Sequence, residues 1–457
     1  MSAHENSPEM ARNLKNRHVQ LIAIGGTIGT GLFLGSGKAI NYAGPSIILA
    51  YFITGVICFF LMRALGELLL SNLNYHSYVE FIQEYLGETV GFVAGWTYWF
   101  CWVAIAMSEI TAVGVYIRYW LPNVPQWVPG LILLGILLLL NLITVAAFGE
   151  TEFWFALIKI VAIVLLIVVG LFMILTHFKT SVGHASFSNI LNHGGFFPKG
   201  MKGFLFSFQM VVFSFVGVEL VGLTASETQD PETVLPKAIN NIPIRIILFY
   251  VGALFVIISI FPWNRVLPDQ SPFVLVFENV GIRAAADIIN FVVITAAASA
   301  CNSSIFSTGR MLFSLTYDSK SNIVKPLGKL SRHQVPAAAL KFSAFVIALA
   351  VLLNIFIPES VFTFITSIAT TSFLFIWGSI IVTHIRYKKT KMAQQSKFKA
   401  PLYPFSDYLV LAFLAVVFVI LLLNRSTVPA AVSSIVWLIV MFILGYKHTN
   451  KVNKIVE

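Results

Sequence analysis

Gly25-Gly26-Thr27-Ile28-Gly29-Thr30-Gly31 lies in the middle of an apolar run, Val19 to Asn41, long enough to cross a bilayer. Four glycines in seven residues make a poor helix, since each costs about 1 kcal/mol against alanine. Non-helical backbone at membrane depth survives only where it lines a cavity or is covered by protein. A second stretch has the same character. Ser214-Phe215-Val216-Gly217-Val218-Glu219, followed by Gly222, interrupts the run Gly200 to Thr224. Close helix packing through small residues is the competing reading of both, and Gly25 to Gly29 has GxxxG spacing.

Working outward, the whole chain reads as lipid-embedded. Of its 457 residues, 58% are hydrophobic and only 11% charged, with a mean hydropathy of +0.84. A soluble chain carries about 25% charged residues. Runs of bilayer length recur at Val19 to Asn41, Pro45 to Leu70, Val90 to Leu121, Val128 to Phe148, Trp154 to Thr176 and Gly200 to Thr224. They continue at Ile242 to Pro262, Ala284 to Leu315, Ala337 to Ile357, Ser360 to Arg386, Tyr408 to Asn424 and Ala430 to Tyr446. The fold class is therefore an all-α membrane protein with about twelve transmembrane helices. Pro122, Pro125 and Pro129 are expected to mark one loop, and Pro231, Pro236 and Pro243 another. The N-terminus is polar and lacks a signal-peptide core, so the first run is expected to stay as an anchor. Cys58, Cys101 and Cys301 all fall in apolar runs and read as buried thiols.

The weak helices open the first and second groups of five spans. Interrupted helices at matching positions in two halves point to an inverted-repeat transporter with a midplane site. This gives a 5+5 division. The first repeat covers about 19–176 and the second about 200–386. Two further helices lie at about 408–446, between a segment 1–18 and a tail 448–457. Freed N–H groups at a half-helix N-terminus suit a carboxylate, and freed carbonyls suit an ammonium or a cation. Together they fit a zwitterionic amino acid. Lysine and arginine concentrate in the segments that share a side with the termini, including Arg12, Lys15 and Arg17, the run Lys388 to Lys399, and Lys447, Lys451 and Lys454. That bias places both termini in the cytoplasm. It accounts for the net charge of +10 without a nucleic acid partner.

Three ionisable residues stand inside the spans: Glu109, Lys159 and Glu219. A charge at the bilayer centre costs about 2.5–3.5 kcal/mol on insertion scales, so such residues tend to face cavities in ion or proton paths. All three are candidates for proton coupling. Lys159 has an alternative, snorkelling toward the surface near Glu152. Glu219 could instead be neutral and structural, and Glu109 could pair within the bundle. The substrate side-chain pocket is expected to be lined from the third, sixth, eighth and tenth spans, with Ser108, Ser214, and Ser299 or Asn302 as candidates; an interhelical hydrogen bond is the stronger reading of each. The histidines are scattered, no metal-ligand spacing occurs, and no phosphate loop is present. No enzyme activity, metal or cofactor is indicated. The partners are a small-molecule amino acid, protons and the lipid bilayer.

Several motifs resemble the bacterial amino acid transporter branch of the amino acid–polyamine–organocation superfamily. They are Asn16-Arg17-His18-Val19-Gln20-Leu21-Ile22-Ala23 leading into Gly25 to Gly31, Ala43-Gly44-Pro45 with Met62-Arg63-Ala64-Leu65-Gly66-Glu67, Gly95-Trp96-Thr97-Tyr98-Trp99, Phe148-Gly149-Glu150 with Glu152-Phe153-Trp154-Phe155, and Ser226-Glu227-Thr228 with Asp230-Pro231-Glu232. Ser71-Asn72-Leu73, Trp99 to Val103 and Ile242 to Ile247 look most like the D-serine/D-alanine/glycine transporters. Glu109 departs from that subgroup, which has aspartate there, and looks more like the aromatic and lysine permeases. The resemblance implies a LeuT-type fold and a bacterial inner-membrane location. By it, Thr27, Ile28, Gly29, Thr30 and Gly31 would bind the substrate carboxylate. Carbonyls of Thr27, Phe213 and Val216 would take the ammonium, with Phe213 as an aromatic gate. Lys159 would stand where sodium binds in sodium-coupled relatives, and Glu219 near the substrate. Glu227 to Pro243 would form a moving polar connection.

Overall fold

The structure is a computed structural model that describes residues 25–456 apart from 76, 144, 225–227, 229, 280–282, 318–323, 333 and 358–359. The segment 1–18, the start of the first span at 19–24 and the Ser226-Glu227 motif lie outside the described residues.

Ten helices among the described residues are long and apolar enough to cross a membrane. One of them, Gly31–Ser71, is two spans in series. Its halves, Ser36–Ala43 and Ile47–Ser71, meet at a tight 3-10 turn, Gly44–Ser46. Gly44 has φ +60° there, and Pro45 supplies no N–H. The shorter apolar helix Trp127–Ile143 has 17 residues, or about 25 Å of rise. With these two refinements the candidate spans among the described residues number twelve, as the hydrophobic runs indicate. The only β-sheet among the described residues is a hairpin of two-residue strands, Lys179–Thr180 with Gly183–His184.

Burial separates the interior from the lipid face. The sixth span, Gly200–Gly222, has 89% of its apolar window buried, whereas the last, Val428–Asn450, has 28%. Outer helices expose Phe172, Leu175, Phe356, Val416 and Val436. In water such a surface would drive association, but in hydrocarbon it is the matching solvent. The polar side chains run the other way: Thr30, Lys159, Glu219, Glu152, Ser299 and His384 are all fully buried.

Three expectations change. Pro231–Ile260 is one helix, not a proline-marked loop followed by a span. Pro231 takes the first helical position, where a missing N–H costs nothing. Pro236 and Pro243 each forfeit a backbone bond, but Val234, Leu235, Ala238, Ile239 and Ile242 form one buried face that holds the helix through them. Much of the Glu227 to Pro243 connection is therefore helical. The fifth span starts earlier than Trp154: the helix is Val145–Leu175, which draws Glu152 into the interior. The last helix continues to Val456, through the segment read as a tail.

Candidate functional site

Both weak helices are broken where the glycines fall. Gly25 to Thr27 is helical, Ile28 and Gly29 form a bend, and Gly31–Gly35 resumes as a single π-turn. The sixth span runs as Gly200–Phe215, leaves the helix over 216–219 and restarts as Leu220–Thr224. Val216 is extended and Gly217 has φ +101°, a conformation a side chain would strain. The two breaks touch backbone to backbone. A Cβ on Gly217 would lie 2.9 Å from the Gly26 carbonyl oxygen, and one on Gly31 would lie 2.8 Å from Ser214 Cα. The glycines thus serve close approach as well as breakage.

The freed backbone groups have specific partners. Lys159 is fully buried and its Nζ donates to the carbonyls of Gly25 (2.6 Å) and Ile28 (2.9 Å). It does not snorkel. Glu109 accepts from the Thr30 N–H at 3.2 Å and 3.3 Å and from the Thr30 hydroxyl at 3.0 Å. The same carboxylate leaves no room at Gly29, where a Cβ would meet its Oε1 at 2.6 Å. Glu219 reaches back across the sixth-span break: its Oε2 accepts from the Gly217 N–H (3.2 Å) and from Trp377 Nε1 (3.3 Å). Each charge therefore sits on a freed backbone dipole, the chemistry expected of half-helix ends.

A cavity lined by Gly26, Thr27, Gly29, Gly31, Ile105, Glu109, Phe213 and Val216 lies between the breaks. Its volume is about 10 Å³, room for about one water. Six of its eight lining residues are among those singled out from the sequence. Others of that set face elsewhere. The Ser108 hydroxyl donates to its own helix, to the Ile105 carbonyl at 2.8 Å. Ser214 donates to Met210 O and pairs with the Tyr51 hydroxyl, both at 2.9 Å. Ser299 donates to Glu152 Oε1, and Asn302 reaches Glu152 Oε2 at 3.4 Å while accepting from Asn141 at 2.8 Å. The eighth-span pair thus serves a carboxylate, not the cavity.

Two tyrosines and one glutamate at the site were not singled out from the sequence as site residues. Tyr250 donates to Thr27 O (3.2 Å) and Ser214 O (2.8 Å), stitching the two breaks together. Tyr51 packs edge-on against Tyr250 at 5.5 Å. Glu152 stands fully buried against Gly25 of the broken first span and shares the continuous fifth-span helix with Lys159. A glutamate flanked by aromatics at an apparent span boundary gives no local sign of burial. Only the longer helix, which the run Phe148-Gly149 obscured, would have revealed it.

Comparison with known proteins identifies the family. The family model for amino acid permeases matches residues 18–455. An uncharacterized transporter, YdgF of Bacillus subtilis (strain 168), is 61% identical over 441 residues, covering 96% of each chain. The amino-acid permease AapA of the same organism is 57% identical over 449 residues, 98% of this chain and 97% of the relative. The D-serine/D-alanine/glycine transporter of Escherichia coli (strain K12) is 49% identical over 454 residues, 97% and 96% of the two chains.

Proposed function

The chain belongs to the amino acid permease family, a group of multi-pass membrane transporters and not enzymes, and from that premise we propose that it imports small neutral amino acids by proton symport. Glycine, D-alanine and D-serine are the proposed substrates. The reading places the chain in the bacterial inner membrane with both termini cytoplasmic, in keeping with the distribution of lysine and arginine.

The observation that carries the coupling ion is the position of Lys159. Its ammonium sits on the carbonyls of Gly25 and Ile28, oxygens that a coupling sodium ion would need. A resident cation whose charge can be removed by deprotonation favours a proton in that role. The carboxylate of the substrate is assigned to the N–H groups of Thr27 to Gly31, and its ammonium to the carbonyls of Thr27, Phe213 and Val216.

Glu109 then acquires a role. Its carboxylate lies on the Thr30 N–H, the seat proposed for the substrate carboxylate. Two carboxylates share such a seat only if one is protonated. Substrate therefore displaces Glu109 and binds with a proton on it. The likeness to the Escherichia coli transporter named for D-serine, D-alanine and glycine supports small cargo. Glutamate at position 109 favours a second reading, with proline or aromatic amino acids as cargo.

Uptake of labelled glycine into proteoliposomes under an imposed inward proton gradient tests the proposal. Accumulation that ignores sodium and falls with excess unlabelled D-alanine is the expected result. Accumulation that requires sodium would overturn the coupling. Absence of glycine uptake by folded protein, with uptake of labelled proline or phenylalanine, would overturn the substrate.

A further inference from the structure

Glu152 is a fully buried carboxylate with no part in the coupling proposed above. It lies seven positions before Lys159 on the helix Val145–Leu175, two turns away and on the same face. A long helical side chain leans back toward the N-terminus of its helix, so Lys159 extends toward Glu152. One residue of the first span stands between the two charges. Lys159 Nζ donates to the Gly25 carbonyl at 2.6 Å, and a Cβ on Gly25 would run into Glu152 Oε1. Across that glycine each charge lies within electrostatic reach of the other. Among the described residues, Glu109 of the third span is the other ionisable group within reach of Lys159.

The neighbouring helices show which form of the carboxyl the fold is built for. Asn141, on the fourth-span helix Trp127–Ile143, donates through Nδ2 to Leu137 O (2.9 Å) and to Asn302 Oδ1 (2.8 Å). The second bond fixes the Asn302 amide, which turns its Nδ2 toward Glu152 Oε2 at 3.4 Å. Ser299, one turn earlier on the eighth-span helix Arg283–Thr316, donates its hydroxyl to Glu152 Oε1. Both carboxyl oxygens therefore face donors. An ionised carboxylate only accepts, whereas a protonated one needs an acceptor for its O–H. A lone buried anion is costly, and the ammonium beyond Gly25 offsets that cost. Because Ser299 and Asn302 bond the carboxylate directly, it keeps its partners when Lys159 gives up its proton.

We propose that Glu152 is the fixed counter-charge of Lys159: an ionised carboxylate, held by the eighth span, that acts through its field across Gly25 and sets how firmly Lys159 holds its proton. Glu152 touches neither the substrate seat nor the coupling proton, so it is a positioning residue. Its effect on coupling rests on the proton-symport reading; the pairing of the two charges does not.

Two measurements on the full-length protein test it. The first is infrared difference spectroscopy of Lys159→Ala against wild type at neutral pH. With its counter-charge gone, Glu152 should take up a proton. The expected result is a protonated-carboxyl band in Lys159→Ala that disappears in the double variant Lys159→Ala/Glu152→Gln. An unchanged carboxylate signal in folded Lys159→Ala would overturn the pairing. The second is the pH dependence of proton-driven accumulation, relative to exchange, in proteoliposomes bearing Glu152→Gln. Glutamine keeps an acceptor for Ser299 and removes the charge. Without the anion the ammonium is less favoured, so the midpoint at which accumulation is lost as pH rises should fall by about one pH unit. Glu152→Asp, which restores the charge, should return it toward the wild-type value. A purely structural Glu152 would change the yield of folded protein and leave the midpoint in place, and an unmoved midpoint in folded Glu152→Gln would overturn the proposal. If Glu152→Gln does not fold, the infrared result on Lys159→Ala decides the pairing. If wild-type protein accumulates substrate without protons, the symport reading fails, and the infrared result still decides the pairing.

Discussion

Two regions of this molecule bury charge by opposite means. At the broken helices, Lys159, Glu109 and Glu219 each meet backbone groups: the carbonyls of Gly25 and Ile28, the N–H of Thr30 and the N–H of Gly217. At the end of the second span, Glu67 meets charged side chains. Its Oε2 lies 3.1 Å from His384 Nε2 and accepts from the Ala400 N–H at 2.6 Å, while its Oε1 accepts from Lys388 at 2.9 Å. His384 Nδ1 faces Asp407 at 2.6 Å. Both ring nitrogens thus face carboxylates, an arrangement that only an imidazolium satisfies. Arg63, one turn earlier, lies over the Phe398 ring at 3.8 Å and donates to Asn240 and to Lys399 O. The cluster clamps the second, tenth and eleventh spans and the segment between them.

The difference concerns what each charge can do. A backbone dipole stabilises a charge without neutralising it, so the group can lose or gain a proton and leave its partner intact. A charge paired with a charge is fixed, because removing either leaves the other buried and unpaired. The first region is built to change and the second to hold.

Substitutions should separate the two. His384→Ala leaves Glu67 and Asp407 facing a gap, and its expected cost is about 3–5 kcal/mol. Chemical denaturation in detergent reads this, and a loss below about 1 kcal/mol would mean the cluster clamps nothing. Gly217→Ala forces φ +101° on a residue with a Cβ, against the Gly26 carbonyl. A loss of about 1–3 kcal/mol is expected, together with weaker substrate binding, because the two breaks must part. Glu109→Gln should act on pH dependence. Wild-type affinity should weaken up to about tenfold per pH unit, or about 1.4 kcal/mol, as pH rises through the range where Glu109 binds its proton with the substrate. The glutamine variant should vary less than about twofold across that range in equilibrium binding of labelled substrate. Ser108→Ala should matter least, within about 1 kcal/mol in stability, with substrate affinity unchanged, since its hydroxyl serves its own helix.

The first region was far more legible in the sequence than the second. Glycines that break a helix and charges that interrupt a hydrophobic run are local signals, and they mark Gly25 to Gly31, Gly217, Glu109, Lys159 and Glu219 in the sequence itself. The clamp depends on His384 meeting Glu67 across 317 positions, and a lone histidine at the end of a span has no local mark of such a partner. Tyr250 and Tyr51 were hidden for a related reason: an aromatic in an apolar helix looks the same whether it packs or stitches two backbones. The prolines of Pro231–Ile260 misled because their local preference to end a helix was overridden by a buried face that only the packed structure displays.

The claim that the broken-helix charge couples proton to substrate is tested most directly by Lys159→Ala in proteoliposomes. Accumulation of labelled glycine under a proton gradient would be compared with exchange of labelled for unlabelled glycine without one. Accumulation should be lost while the inserted, folded variant still exchanges. Full proton-driven accumulation by that variant would contradict the account and remove Lys159 from the coupling mechanism.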